Sequence, residues 1–341
     1  MLKNKIIKQL EEHKGQPISG SALAAQLQVS RTAIWKVINN LKDEGYAIES
    51  VGKKGYVLNV TSDILSKAGI QAWLAKFAQL EADADAGARS SLEAALVDLP
   101  LQVYESVGST NTVASSMALE GCENFTTVVA NEQTKGKGRL GRSFYSPAQT
   151  GIYLSIVIKP NFNLSKALLI TTAASVAVAS AINEVSGADA KIKWVNDIFV
   201  NGKKVAGILT EALSDFESGS ISNIILGIGI NCHETNFPKE LKEMAGSVGG
   251  GFDRNQLAAM VIRNVIEKIQ NLNPENFIPE YKKRSLVLGQ EIIVYKSGIK
   301  EEAYGVPATA IDITNQGGLK VQYKNGETHT LSTGEISISL K

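Results

Sequence analysis

Cysteine and histidine are scarce in this chain of 341 residues, which has two of the first and three of the second. Cys122 and Cys232 stand too far apart in sequence to suggest a disulfide framework, a usage that fits a reducing cytoplasm. The scattered histidines give no cluster at metal-ligand spacing, so no structural zinc and no protein-built metal centre is expected. The start "MLKNKIIKQLEEHKG" lacks the apolar stretch of a secretion signal. The most apolar window, "ALLITTAASVAVASAI", is broken by polar residues and is short for a bilayer, so no membrane partner is expected. Net charge is also nearly absent, at +1, yet residues 1–60 hold nine Lys/Arg against five Asp/Glu. That surplus points to an N-terminal segment that faces a polyanion.

What is present is a 44% hydrophobic, 20% charged sequence, soluble and globular in type and long enough for two or three domains. Residues 1–60 read as three helices and a hairpin. Ile6, Ile7 and Leu10 mark the first helix, Leu23 and Leu27 the second. Ser30 is placed to cap a third, on which Ala33, Ile34, Val37, Ile38 and Leu41 form one apolar stripe, and Gly45 is placed to end it. The remaining face carries Arg31, Thr32, Lys36, Asn39 and Asn40, and a turn with Lys53 and Lys54 joins the two β-rich runs that follow. This is the pattern of a winged helix-turn-helix, in which the third helix enters the major groove and the wing lies by the backbone. Ser30, Arg31, Thr32, Lys36, Asn39, Lys53 and Lys54 are therefore the candidate DNA contacts. Asn, Thr, Arg and Lys on the polar face suit base and phosphate contacts better than the Glu/Lys mixture of an ordinary solvated face.

Residues 61–100, rich in alanine and broken at "DADAGARSS", read as a partly helical linker. Residues 101–286 hold strand-type runs ("VVA", "IYLSIVI", "AKIKW", "IIL") and one long apolar helix, a larger α/β unit. Asn201-Gly202 marks a hairpin, and Asp253 is placed to cap an amphipathic helix. Residues 287–341 turn to short strands with Gly/Asn turns, a small β-barrel domain.

Four segments carry chemistry. "KGKGRLGR", Lys135 to Arg142, places three glycines among four cations. Backbone N–H groups freed by glycine, with Lys137, Arg139 and Arg142 beside them, suit a phosphate or acyl-phosphate. The spacing fits neither a P-loop nor a dinucleotide fingerprint. "ESVGSTNTVA" sets Ser109, Thr110 and Asn111 before a helix, as a ligand contact or a helix cap. "AKIKWVND" puts Lys193 in an apolar strand, a costly position for an ammonium without an anion to pair with. "ILGIGINC" supplies Gly227 and Gly229 as side-chain-free space, then Asn231 at a strand end.

In this order and spacing the segments resemble the biotin–protein ligases, specifically the bifunctional form that also represses the biotin operon. "GKGRLGR" is similar to that family's G-R-G-R-x-G-R, with Lys137 for the first Arg. "KWVND" is similar to its K-W-P-N-D, with Val195 for Pro. "STN", "AGIL", "GIGIN" and "GEIS" complete the set, and Ser339 stands where some members have an Arg that helps hold ATP. The resemblance implies an α+β multidomain protein. Its central domain would be an α/β ligase fold with a mixed sheet, of the class II aminoacyl-tRNA synthetase type, followed by the C-terminal barrel. It implies ATP and Mg²⁺ as cofactors, biotin as substrate and biotinyl-5′-AMP as intermediate. Lys193 and Arg139 would be catalytic. Ser109, Thr110, Asn111, Gln133, Gly136, Lys137, Gly138, Arg139, Lys193, Gly227 and Gly229 would bind biotin. Arg139, Arg142, Asn196 and Asn231 would hold the nucleotide. The implied partners are a biotin carboxyl carrier domain, operator DNA and a second copy of the chain that joins when adenylate is bound. A ligase whose N-terminal domain no longer regulates, a lipoate ligase, and a ligand-sensing repressor without chemistry are the competing readings.

Overall fold

The computed structural model describes residues 2–84, 92, 96, 98–160, 167–214, 221–295, 305–332 and 337–340. The chain divides into two compact units, Met1–Leu99 with Gly251–Met260, and Pro100–Gly250 with Val261–Lys341.

The first unit opens with α1 (Leu2–Glu12), α2 (Gly20–Leu27) and α3 (Arg31–Asp43), then the antiparallel pair β1 (Ile48–Ser50) and β2 (Tyr56–Leu58). Ile6, Leu10, Leu23, Ile34, Ile38, Leu41, Ile48 and Leu58 form its core, so the helical stripes read from the sequence are the buried ones. Ser30 caps α3 as expected, its Oγ accepting from Ala33 N at 3.1 Å. Gly45, at φ +94°, ends that helix. Its N–H bonds Lys42 O, and Tyr46 N–H bonds Leu41 O, the paired bonds of a left-handed C-terminal turn.

The linker expected over 61–100 is not a free connector in its first half. Lys67–Ala84 forms α4, which packs on α1 and buries Ile70, Leu74, Phe77 and Ala78. Its alanines are helix formers with an apolar face to bury, and the composition conceals that face. Residues 85–91, which hold most of "DADAGARSS", lie outside the described residues.

A buried charge cluster joins this unit to its own distant segment. Arg254, 2% exposed, pairs through Nε with Asp63 Oδ2 at 3.0 Å. Asp253 caps the following helix by accepting from Asn255 N–H, and its other oxygen accepts from Lys14 Nζ at 2.7 Å. Glu11 lies 3.4 Å from the same ammonium. Burial raises the Glu11 carboxyl from 4.5 to about 7, and Lys14 only partly offsets this. A raised pKa means that the folded chain holds this proton more tightly than the unfolded one. The stability it supplies is complete below pH 4.5 and is lost as pH rises through about 7. Glu11→Gln should therefore remove up to about 3 kcal/mol of pH dependence between pH 5 and 8. Melting curves should show the variant less sensitive to pH than the parent; equal slopes would exclude Glu11 as the source.

The second unit is built on a seven-stranded sheet. In chain order its strands are β3 (Leu101–Tyr104), β4 (Thr127–Ala130), β5 (Gly151–Ile158), β6 (Lys191–Lys193), β7 (Asp197–Val200), β8 (Lys203–Ser214) and β9 (Ile221–Asn231). Their spatial order is β3-β4-β5-β9-β8-β7-β6, and only β3 and β4 run parallel, so the sheet is mixed. Asn201 and Gly202, at φ +50° and +75°, turn the β7–β8 hairpin as the dipeptide predicts. α5 (Thr110–Leu119) packs Ala114 and Ala118 on Val128, Val157 and Ile225. α6 (Ala167–Ser186) is long and apolar enough to cross a bilayer, but Leu169–Ala179 are all buried inside the unit, the setting that a helix apolar on every side requires. α7 (Arg254–Gln270), which belongs to this unit from Val261 on, and α8 (Ile278–Arg284) follow.

The C-terminal β region comprises β10 (Glu291–Tyr295), β11 (Gly305–Ile313), β12 (Leu319–Tyr323), β13 (Thr328–Leu331) and β14 (Ser337–Leu340). They form an antiparallel five-stranded sheet in the order β13-β12-β11-β10-β14. Of the "GEIS" motif, residues 334–336 lie outside the described residues.

Candidate active site

A cavity of about 470 Å³ opens over β7, β8 and β9. Ser109, Thr110 and Asn111 line it from the start of α5, Gln133, Lys137, Gly138, Arg139 and Arg142 from the glycine-rich segment, and Lys193 and Asn196 from the β6–β7 corner. Gly227, Gly229 and Asn231 line it from β9. Gly136 is the one proposed ligand contact that does not. A Cβ there would run into Phe144 O, so this glycine lets the loop fold on itself.

The α5 end of the cavity is a continuous polar network. Gln133 Oε1 accepts from Thr110 N–H at 2.8 Å and from Thr110 Oγ1 at 3.0 Å, while Gln133 Nε2 donates to Ser146 Oγ at 3.0 Å. Ser155 Oγ lies 2.8 Å from Thr110 Oγ1 and 2.6 Å from Asn111 Oδ1. Asn111 Nδ2 donates to Glu211 Oε2 at 2.6 Å, and Lys137 Nζ stands 3.9 Å from the other Glu211 oxygen. These bonds fix each amide's orientation, so donors and acceptors face the cavity in a set pattern. Ser109 occupies the cap position of α5 without making a side-chain cap bond. Ser155 and Glu211 escape sequence reading, although a lone serine in "IYLSIVI" is a legible sign of a buried polar contact.

Gly227 and Gly229 line the cavity, and the absence of a Cβ at each also makes room for another side chain. A Cβ on Gly227 would strike the Asn111 amide, and one on Gly229 would come within 2.5 Å of the Phe144 ring. The two glycines let β9 approach residues that shape the cavity.

The cationic loop is a tight turn closed by its own backbone. Gly138 N–H donates to Arg142 O at 2.7 Å and Phe144 N–H to Gly136 O at 2.9 Å, with Leu140 in the left-handed region at φ +56°. The Gly138 amide is thus engaged within the loop and is not one of the free amides the sequence suggests. Arg139 leaves the turn to donate through Nη1 to Asn196 Oδ1 at 3.0 Å. Burial lowers its pKa, Asp197 opposes that shift, and Arg142 adds to it. Asn196 Nδ2 donates to Ile208 O at 2.9 Å, and Asp197 pairs with Lys204 Nζ at 2.5 Å. Lys193 is half-buried, with Nζ 5.9 Å from the centre of the Phe199 ring. Phe237, Leu241, Met244 and Ala245 give the cavity an apolar side.

The α5 end of the cavity thus holds oriented amide and hydroxyl groups, while Arg139, Arg142 and Lys193 line it from the loop and the β6–β7 corner. Such a site suits a neutral polar ring at one end and an anion at the other. Among the described residues no three His, Cys, Asp or Glu side chains are grouped to hold a metal ion. In the first unit, Arg31, Thr32 and Lys36 on α3 and Lys53 and Lys54 at the wing tip are exposed, Asn39 is half-buried, and Ser30 serves as the cap. Trp35, 56% exposed on the same helix, went unmarked in the sequence.

Comparison with known proteins joins these two sites. The profile of the biotin/lipoate A/B protein ligase family matches residues 103–231, and that of a helix-turn-helix domain matches residues 3–57. The bifunctional ligase/repressor BirA of Bacillus subtilis is 33% identical over 267 residues, 78% of this chain and 76% of that protein. The biotin–[acetyl-CoA-carboxylase] ligase of Mycobacterium tuberculosis is 30% identical over 248 residues, 69% of this chain and 88% of that one. Among solved structures, the biotin protein ligase of Aquifex aeolicus in complex with biotin and ATP aligns with a TM-score of 0.60 at 27% identity. That alignment covers 71% of this chain and 99% of the other.

Proposed function

The chain belongs to the biotin/lipoate A/B protein ligase family, and from that premise we infer a bifunctional biotin–protein ligase and transcriptional repressor. The observation that carries this reading is the meeting of Arg139 from the glycine-rich loop with Asn196 of "KWVND" over one cavity, in a chain that also has a helix-turn-helix unit.

Biotin would lie with its ureido ring against the Thr110–Gln133–Ser155–Asn111 network and its carboxylate toward Lys193. A carboxylate oxygen attacks the α-phosphorus of ATP, the bond to the bridging oxygen breaks, and pyrophosphate leaves. Lys193 and Arg139 would stabilise the charge gathering on the phosphoryl oxygens, and Arg142, Asn196 and Asn231 would hold the nucleotide. In the second step the amine of a carrier-domain lysine attacks the biotinyl carbonyl, AMP departs with the bonding electrons, and the nitrogen sheds a proton. Both steps need charge stabilisation and alignment more than a general base, and no histidine lines this cavity. Mg²⁺ would come with the nucleotide and neutralise pyrophosphate charge. The two carboxylates that line the cavity are each paired with a lysine, Asp197 with Lys204 and Glu243 with Lys203, which suits a cation held by phosphates better than a protein cage.

Division into a DNA-binding unit, a ligase domain and a C-terminal sheet domain accompanies this reading. With a surplus of about four positive charges, one winged helix makes few phosphate contacts, so two copies on a two-part operator are expected, joined when adenylate is bound. A ligand sensor without chemistry would have no need of both Lys193 and Arg139 lining one cavity. The test is transfer of labelled biotin to a carboxylase carrier domain. ATP-dependent labelling of one lysine is expected, and transfer of lipoate in its place would overturn the assignment.

A further inference from the structure

The strand that carries Lys193 is poorly placed to hold a reacting group still. β6 is three residues long, sits at the edge of the sheet, and is paired within it only with β7. Short edge strands are the parts of a sheet with the fewest backbone bonds. Alignment to within a fraction of an ångström is nonetheless what the proposed chemistry requires.

The bonds that the strand lacks are supplied just beyond it. Val195 O, two residues after Lys193, accepts from Tyr281 Oη of α8 at 3.1 Å and lies 3.0 Å from Ser175 Oγ of α6, whose one proton it shares with Thr171 O at 2.8 Å. A carbonyl has two lone pairs, and here two fully buried hydroxyls stand within hydrogen-bond reach of them. Trp194 Nε1 donates to Gly317 O at 3.0 Å, in the turn between β11 and β12 of the C-terminal sheet. Gly317 has φ +80°, and a Cβ there would meet Thr172 at 3.0 Å, so its carbonyl is held close against α6. Leu286 N–H, also from the C-terminal part of the chain, donates to Ile192 O at 2.8 Å.

We propose that Ser175, Tyr281 and the Gly317 carbonyl are positioning groups that fix the Lys193–Asn196 corner. The C-terminal sheet is thereby a working part of the adenylation site. This rests on the reading of Lys193 as the residue that stabilises the phosphoryl charge. None of the three touches the cavity; each acts through the backbone or the indole of the corner. Their hydroxyl and carbonyl partners are satisfied internally, so they offer nothing to a substrate directly.

The test compares Tyr281→Phe, Ser175→Ala, the double variant and Trp194→Phe, with pyrophosphate release as the readout and Lys193→Met as a control. Loss of one anchor should lower kcat by about three- to tenfold, and loss of both hydroxyls by about a hundredfold, the scale on which small misplacements act. KM for biotin and ATP should change less than about twofold in Ser175→Ala, Tyr281→Phe and the double variant, because neither residue lines the cavity; Trp194 does line it, so Trp194→Phe is read on kcat. A residue that merely supports the fold would lower the melting temperature and leave kcat of the folded protein alone. A double variant that melts cooperatively and keeps kcat within about twofold of the parent overturns the proposal. Should the double variant not fold, unchanged kcat in Tyr281→Phe and Trp194→Phe overturns it equally. If Lys193→Met itself keeps full activity, the catalytic reading fails first, and the anchor has nothing to position.

Discussion

Lys193→Met is expected to slow adenylate formation by about 10²- to 10³-fold, the cost of removing one preorganised charge donor from a forming oxyanion. Lys193 lines the cavity on the same corner as Asn196, to which Arg139 donates at 3.0 Å. Methionine preserves the length and most of the packing of the side chain, so the loss isolates the charge. Biotin affinity should fall far less, because the Thr110–Gln133–Ser155 network that would hold the ring does not involve Lys193. Isothermal titration with biotin and single-turnover pyrophosphate release separate the two effects. Equal losses in both would make Lys193 a binding residue only.

Arg139→Ala should have its largest effect on retention of the intermediate. The guanidinium crosses from the loop to Asn196, half-buried, with burial lowering its pKa and Asp197 holding it charged. A charge-assisted hydrogen bond of this kind contributes about 1.5–3 kcal/mol, which corresponds to roughly 10- to 100-fold faster escape of the adenylate. The mixed anhydride would then leave before the carrier arrives, and label should appear on lysines of unrelated proteins in the tube. A chase with unlabelled biotin and ATP measures the dwell time directly. A variant with the parental dwell time would remove the loop from the retention step.

Much of this architecture was legible because local signals agree with the tertiary structure. Ser30, the stripe from Ile34 to Leu41 and Gly45 specify one helix with a start, a face and an end. Asn201-Gly202 specifies a turn that few other dipeptides tolerate. What stayed hidden depends on partners far away in the chain. α4 reads as a linker because its apolar face has meaning only against α1. β3, four residues with only Leu101 fully buried, is too short to stand out. Gly227 and Gly229 signal close approach but not what approaches, which proves to be Asn111 and Phe144. Glu211 looks like any exposed strand carboxylate until Asn111, 100 residues earlier, is brought to 2.6 Å.

The central claim is that one cavity makes an adenylate that serves both ligation and repression. It is tested most directly by the affinity of the chain for operator DNA, measured by fluorescence anisotropy at physiological salt. The titration is run with biotin alone, ATP alone, both together, and preformed biotinyl-5′-AMP, for the parent and for Lys193→Met. The expected result is tight binding by the parent only with biotin plus ATP or with the adenylate, and by the variant only with the adenylate. Arg31→Ala or Lys36→Ala should weaken that binding without altering biotin transfer. DNA affinity that is the same under every ligand condition, or absent under all of them, would contradict the account and leave a ligase whose helix-turn-helix unit takes no instruction from the active site.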